Sequence, residues 1–181
     1  MTNTKKITKI RLAGISPQSL VNGEGLRTVL FSQGCKHACP ECFNPETWSF
    51  TGGKWFAIDK IIADIVKQQD YLDGVTLSGG DPIEQYEAFI PIVEAIKAKT
   101  KLNIWCYTGY TWEELLKKIK TEPNLLTFLK SIDFLMDGRF VKSKLSSKAK
   151  DPKAYPYRGS TNQRLIDVQK SLKNKQTVIK N

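Results

Sequence analysis

Ile58, Ile61, Ile62, Ile65 and Val66 recur at i, i+3, i+4, i+7 and i+8, which puts one apolar stripe on an amphipathic helix over about residues 57–69. A second stripe runs through Phe89, Ile90, Val93 and Ile96 and predicts another helix. Between and around these stripes lie short apolar runs, at residues 7–15, 28–32, 74–77, 102–107 and 132–136, each of strand length. The turn-rich Asn22-Gly23-Glu24-Gly25 separates the first two runs. Thr111 with Glu114 three residues on is the reciprocal arrangement that opens a helix, and residues 165–168 read as a last edge strand.

Strands that alternate with helices imply βαβ units and a largely parallel sheet. A closed eight-fold barrel takes about 250 residues. With 181 residues the chain builds only part of one, so the expectation is an α/β fold: a partial, open (β/α) barrel in one domain over residues 1–181. Ligands of such sheets sit at the carboxyl ends of the strands. The loop from Cys35, the Ser78-Gly79-Gly80-Asp81-Pro82 loop, Thr108 and Asp137 all follow strands, and so are expected to converge.

Composition narrows the class. Hydrophobic residues make up 40% of the chain, enough for a core. Residues 1–9 are polar and no run reaches the roughly 18 apolar residues of a membrane span, which points to a soluble, cytoplasmic protein with no membrane partner. The net charge of +10 is unevenly placed: residues 1–138 hold 16 basic and 16 acidic side chains, residues 139–181 hold 12 and 2. A basic C-terminal segment without a zinc finger or an aromatic RNA-binding pattern reads as a solvated or partner-docking surface, and disfavours nucleic acid.

Three of the four cysteines, Cys35, Cys39 and Cys42, fall within eight residues, too crowded for a disulfide framework. Three thiolates on one short loop suit three corners of an iron–sulfur cube and leave one iron without a protein ligand. The competing reading is structural zinc, which wants four ligands, commonly as two separated pairs. No second CxxC pair exists; the spare donors are His37 inside the loop and Cys106 on a strand. Cys106, between Trp105 and Tyr107, reads as an inert buried thiol.

A CxxxCxxC loop directly after an early strand resembles the radical S-adenosylmethionine superfamily. With "GEGLRTVLFSQGC", "CFNPETW", "SGGDP", "YTGYTWEEL" and "YRGSTNQRLID" the chain is similar to the anaerobic ribonucleoside-triphosphate reductase-activating proteins over about residues 22–167. The resemblance implies a [4Fe-4S] cluster on Cys35, Cys39 and Cys42. It also implies S-adenosylmethionine on the open iron, and hydrogen abstraction from a glycine Cα of the large reductase subunit. Activation of pyruvate formate-lyase or another glycyl radical enzyme is the alternative target, and a zinc-stapled interaction module the alternative class.

The resemblance also assigns positions. Gly79, Gly80 and Asp81 match the segment that receives the cofactor's amino group, with Asp81 shorter than the commoner Glu. Glu41 stands where many relatives carry an aromatic residue near the adenine; Phe43, followed by Asn44, is expected to cover it instead. Thr108, Asp137 and Arg139 fall where related activases place polar groups near the methionine carboxylate. Arg158 to Gln163 is expected near the reductase- or substrate-facing side. Reduced flavodoxin or a similar acidic donor is the expected electron source for a basic surface that includes Lys142, Lys144, Lys148 and Lys150.

Overall fold

The computed structural model describes residues 7–145 and 157–180. Its elements follow in the order β1 (Lys9–Ser19), β2 (Arg27–Ser32), β3 (Lys54–Ala57), α1 (Ile58–Lys67), β4 (Gly74–Gly79), α2 (Tyr86–Lys99), β5 (Asn103–Tyr107), α3 (Trp112–Lys118), α4 (Asn124–Ser131), β6 (Phe134–Asp137), β7 (Arg164–Asp167) and α5 (Val168–Asn174). One seven-stranded sheet has the order β3-β1-β2-β4-β5-β6-β7. The centre, β2-β4-β5-β6, is parallel; on one flank β1 pairs antiparallel with β2 and β3 antiparallel with β1, and on the other β7 pairs antiparallel with β6. The sheet does not close, as expected of a chain of this length.

The helical stripes do what their spacing predicts. Ile58, Ile61 and Ile65 of α1 and Phe89, Ile92, Val93 and Ile96 of α2 are buried against Leu30, Val75, Leu77, Ile104 and Leu135 of the sheet. Thr111 accepts from the Glu114 amide at 3.2 Å, and Glu114 accepts from the Thr111 amide at 2.8 Å, closing both halves of the cap on α3. Three elements, β3, α4 and α5, have no counterpart in the sequence reading. β3 is four residues long with one face solvated, and α4 is a short helix that starts directly after Pro123, close behind α3. β1 continues past residue 15 to Ser19 by way of register shifts against β2.

The opposite face of the sheet carries Trp105, Met136 and Leu165 with Tyr107, Phe134 and Tyr157. Beneath them lies Arg27, fully buried. Its Nε donates to Thr76 Oγ1 at 2.7 Å, its Nη1 to the Glu24 carbonyl at 2.9 Å, and its Nη2 to the Val75 carbonyl at 3.0 Å and to Asn103 Oδ1 at 2.8 Å. The guanidinium also sits 5.2 Å from the Trp105 ring centroid. Burial brings its pKa down to about 10, yet the fork is satisfied by dipoles from β4, β5 and the loop before β2. Lysine offers no such fork. Arg27→Lys should therefore cost about 3 kcal/mol, read as a lowered denaturant midpoint with unchanged slope; wild-type stability would show that the fork does not tie the sheet together.

Candidate functional site

Because β2, β4, β5 and β6 are parallel, the loops that leave them open at one edge of the sheet. β7 runs the other way, with Arg164 opposite Asp137, so the segment that precedes β7 arrives at that same edge. These loops enclose a cavity of about 340 Å³. Its lining includes Cys35, Cys39, Cys42, Phe43, Asn44, Gly79, Gly80 and Thr108 from the expected set. A second cavity, about 360 Å³ between β1, β2 and α1, is walled by Ile15, Leu30, Ile61 and Ile65 and brings no such chemistry together.

Close backbone approach explains the glycines. Gly79 has φ +96°, and a Cβ there would lie 2.6 Å from the Ser32 amide nitrogen; one on Gly80 would lie 2.5 Å from the Gly34 carbonyl oxygen. The Gly-Gly loop thus lies against the root of the cysteine loop, held by the Gly80 amide on the Ser32 carbonyl at 2.8 Å and the Asp81 amide on the Gly34 carbonyl at 2.9 Å.

Asp81 itself is fully buried and is not among the lining residues. Its Oδ1 accepts from the Ile83 amide at 2.9 Å, capping the turn after β4. Its Oδ2 accepts from Thr108 Oγ1 at 2.9 Å and from the Gly109 amide at 3.0 Å, and lies 2.8 Å from His37 Nε2. The carboxylate expected at the cofactor is therefore occupied in joining three loops. His37, the spare donor inside the loop, is the cysteine loop's handle on this hub, with the Tyr110 ring edge-on at 4.5 Å.

Three other residues of the expected set have protein partners of their own. Glu41 is exposed, takes φ +56° and pairs with Lys142 at 2.9 Å. Asp137 is buried and accepts from the Trp112 amide at 2.7 Å while Arg164 clamps it from β7. Arg139 pairs with Glu114 at 3.2 Å, on the capping box of α3. None of the three lines the cavity. Lys148 and Lys150 of the basic segment lie outside the described residues.

Within the cysteine loop, burial pushes the Cys35 thiol up to about 11, opposed by the His37 and Ala38 amides, and burial likewise raises Cys39, opposed by the Phe140 amide. The Asn44 amide donates to Cys42 Sγ at 3.4 Å. Amides aimed at sulfur suit thiolates bound to metal, and loading must release the thiol protons. Among the described residues no three His, Cys, Asp or Glu side chains are gathered as one metal ion requires. A cubic cluster binds each thiolate to a different iron, so three separated sulfurs on one loop fit it better than they fit zinc. Cys106 is buried on the helix-covered face with its thiol raised by burial, and cannot serve as a fourth ligand.

Sequence reasoning underweighted the residues before β7. Tyr157, Arg158, Gly159 and Gln163 line the cavity, and Phe140 stacks on Phe43 with ring centroids 4.7 Å apart. The available signal was the short apolar strand at 165–168: read as antiparallel, it would have brought its preceding loop to the site.

Known proteins agree with this layout. Residues 21–166 match the family model described as a 4Fe-4S single cluster domain. Proteins named anaerobic ribonucleoside-triphosphate reductase-activating protein are similar throughout. That of Haemophilus influenzae is 37% identical, covering 81% of this chain and 91% of its own. That of Salmonella typhi is 39% identical (81% and 92%), and that of Enterobacteria phage T4 35% (83% and 90%). The solved structure of QueE from Escherichia coli, at 19% identity and a TM-score of 0.46 over 57% of this chain and 54% of that one, is too distant to bear on the argument. With such identity over more than four fifths of its length, and its three clustered cysteines inside the matched span, the chain belongs to the anaerobic ribonucleoside-triphosphate reductase-activating proteins.

Proposed function

We propose that the chain holds a [4Fe-4S] cluster on Cys35, Cys39 and Cys42, binds S-adenosylmethionine beside it, and installs a glycyl radical in the large subunit of the anaerobic ribonucleoside-triphosphate reductase. The observation that carries this reading is the shared cavity: three thiols on one loop and the Gly-Gly loop facing them, with His37 of the same lining held by Asp81 and Cys106 turned into the core. When bound, the reduced cluster and S-adenosylmethionine supply an electron and a carbon radical able to take a hydrogen atom from a glycine Cα.

The chain's own residues bind, orient and shield. Gly79 and Gly80, where a Cβ would strike the Ser32 and Gly34 backbone, let their loop pack against the root of the cysteine loop and line the cavity. Phe43, exposed at the mouth and backed by Phe140, offers an aromatic face to an adenine; Asn44 and Thr108 add polar groups to the same wall. Trp48, Tyr107 and Tyr157 also line the cavity, and an aromatic wall limits water around a reactive carbon radical. Reduced flavodoxin, or a donor of similar acidity, suits the basic C-terminal segment that begins at Arg139.

Anaerobically reconstituted protein should bind about four irons per chain and, with a strong reductant, release 5'-deoxyadenosine from S-adenosylmethionine; iron without that product would sink the reading. Mixed with the large reductase subunit it should produce an organic glycyl radical signal in electron paramagnetic resonance. A signal from pyruvate formate-lyase instead would move the target.

The hub makes a separate prediction. An amide at position 81 keeps the size of the side chain but puts an NH2 group against donors. Asp81→Asn should cost about 2 kcal/mol of stability and lower the iron retained after desalting. Wild-type values for both would show that Asp81 does not hold the cysteine loop in place.

A further inference from the structure

Four basic side chains around the site are paired to carboxylates. Lys36 meets Glu84 at 2.6 Å, Lys142 meets Glu41 at 2.9 Å, Arg139 meets Glu114 at 3.2 Å, and Arg164 meets Glu113 at 2.8 Å as well as Asp137. Arg158 has no carboxylate partner among the described residues. It lines the cavity, and its Nε is buried with no hydrogen-bond partner among the described residues. A buried guanidinium donor left unsatisfied costs stability, and such an expense in a native site points to a ligand.

Arg158 is also held in place. The Tyr107 hydroxyl donates to the carbonyl of Tyr157 at 3.0 Å, and the Gly159 and Ser160 amides donate to Gln163 Oε1 at 2.8 and 3.1 Å. Gln163 Nε2 in turn donates to the Gly138 carbonyl at 2.9 Å, anchoring the turn to the end of β6. The turn abuts the cysteine loop: a Cβ on Gly159 would lie 3.2 Å from the Phe140 ring and 3.4 Å from that of Phe43, the residue after Cys42. No Asp or Glu side chain is among the described residues lining the cavity, so none of them gives Arg158 a counter-charge.

We propose that Arg158, and not Arg139, receives the α-carboxylate of S-adenosylmethionine. The assignment rests on the function proposed above. Arg158 is a positioning residue in this role: a planar fork matches a carboxylate edge to edge, and so sets how the amino-acid end of the cofactor lies against the cysteine loop.

The test is binding, not turnover. Anaerobically reconstituted full-length protein is titrated by equilibrium dialysis with S-adenosylmethionine and with decarboxylated S-adenosylmethionine, which keeps the amine, sulfonium and adenosine but lacks the carboxylate. Arg158→Gln should weaken S-adenosylmethionine by about 10- to 100-fold and leave the decarboxylated ligand within about twofold. Arg158→Lys, which keeps the charge without the fork, should recover part of the loss, and both variants should retain wild-type iron. Equal weakening of both ligands, or none, would overturn the assignment. If wild-type protein with its full iron binds neither ligand, the functional reading falls as well, and that is seen before any variant is made.

Discussion

One buried carboxylate organises the loops of this protein. Asp81 accepts from the turn that follows β4 and from the loop that follows β5, and it meets the only histidine of the chain, which sits between the first two cysteines. Loops that leave parallel strands have no reason of their own to meet: the sheet brings their roots to one edge, a strand's width apart, and the rest depends on what bridges them. A charged acceptor surrounded by donors and removed from water is a strong bridge, because each partner loses heavily by letting go. Arg27 plays the complementary part deeper in the sheet, where a buried cation is satisfied by carbonyls, Thr76 and Asn103.

The cysteine loop carries its own strain. Ala38 and Glu41 both adopt left-handed backbone, at φ +45° and +56°, in a stretch of eight residues that holds all three candidate ligands. Such conformations cost about 1 kcal/mol or more each and persist only where surroundings impose them. The surroundings here are the His37–Asp81 contact, the amides turned toward sulfur, and the bonds from Gly34 and Cys35 to the carbonyls of Thr47 and Trp48. The backbone therefore spends stability to aim three side chains outward from a short loop.

Much of this was legible in the residues alone. The spacing of Ile58, Ile61 and Ile65, the Thr111–Glu114 pair and the short runs before the cysteine and glycine loops are local signals, and each survives folding unchanged. What escaped depends on partners distant in sequence. Nothing near Asp81 says that His37 and Thr108 will take its oxygens, so it reads as a ligand. Arg139 and Arg158 look equally available until Glu114 is found beside one of them. Strand direction is equally silent in a four-residue run, although the direction of β7 is what carries the Arg158 turn to the site.

The side of the sheet on which Cys106 lies bears on what happens after air exposure. Alternation along β5 turns Trp105 and Tyr107 toward the face of the cavity and sends the Cys106 sulfur into the helix-packed core. A loop that has lost its metal then has no resolving thiol across the sheet. Its three sulfurs can cross-link only with one another or with a second molecule, so oxidative damage starts as a fault confined to one loop. Reduction and reloading can repair such a fault while the hydrophobic core, with its fourth thiol, stays intact.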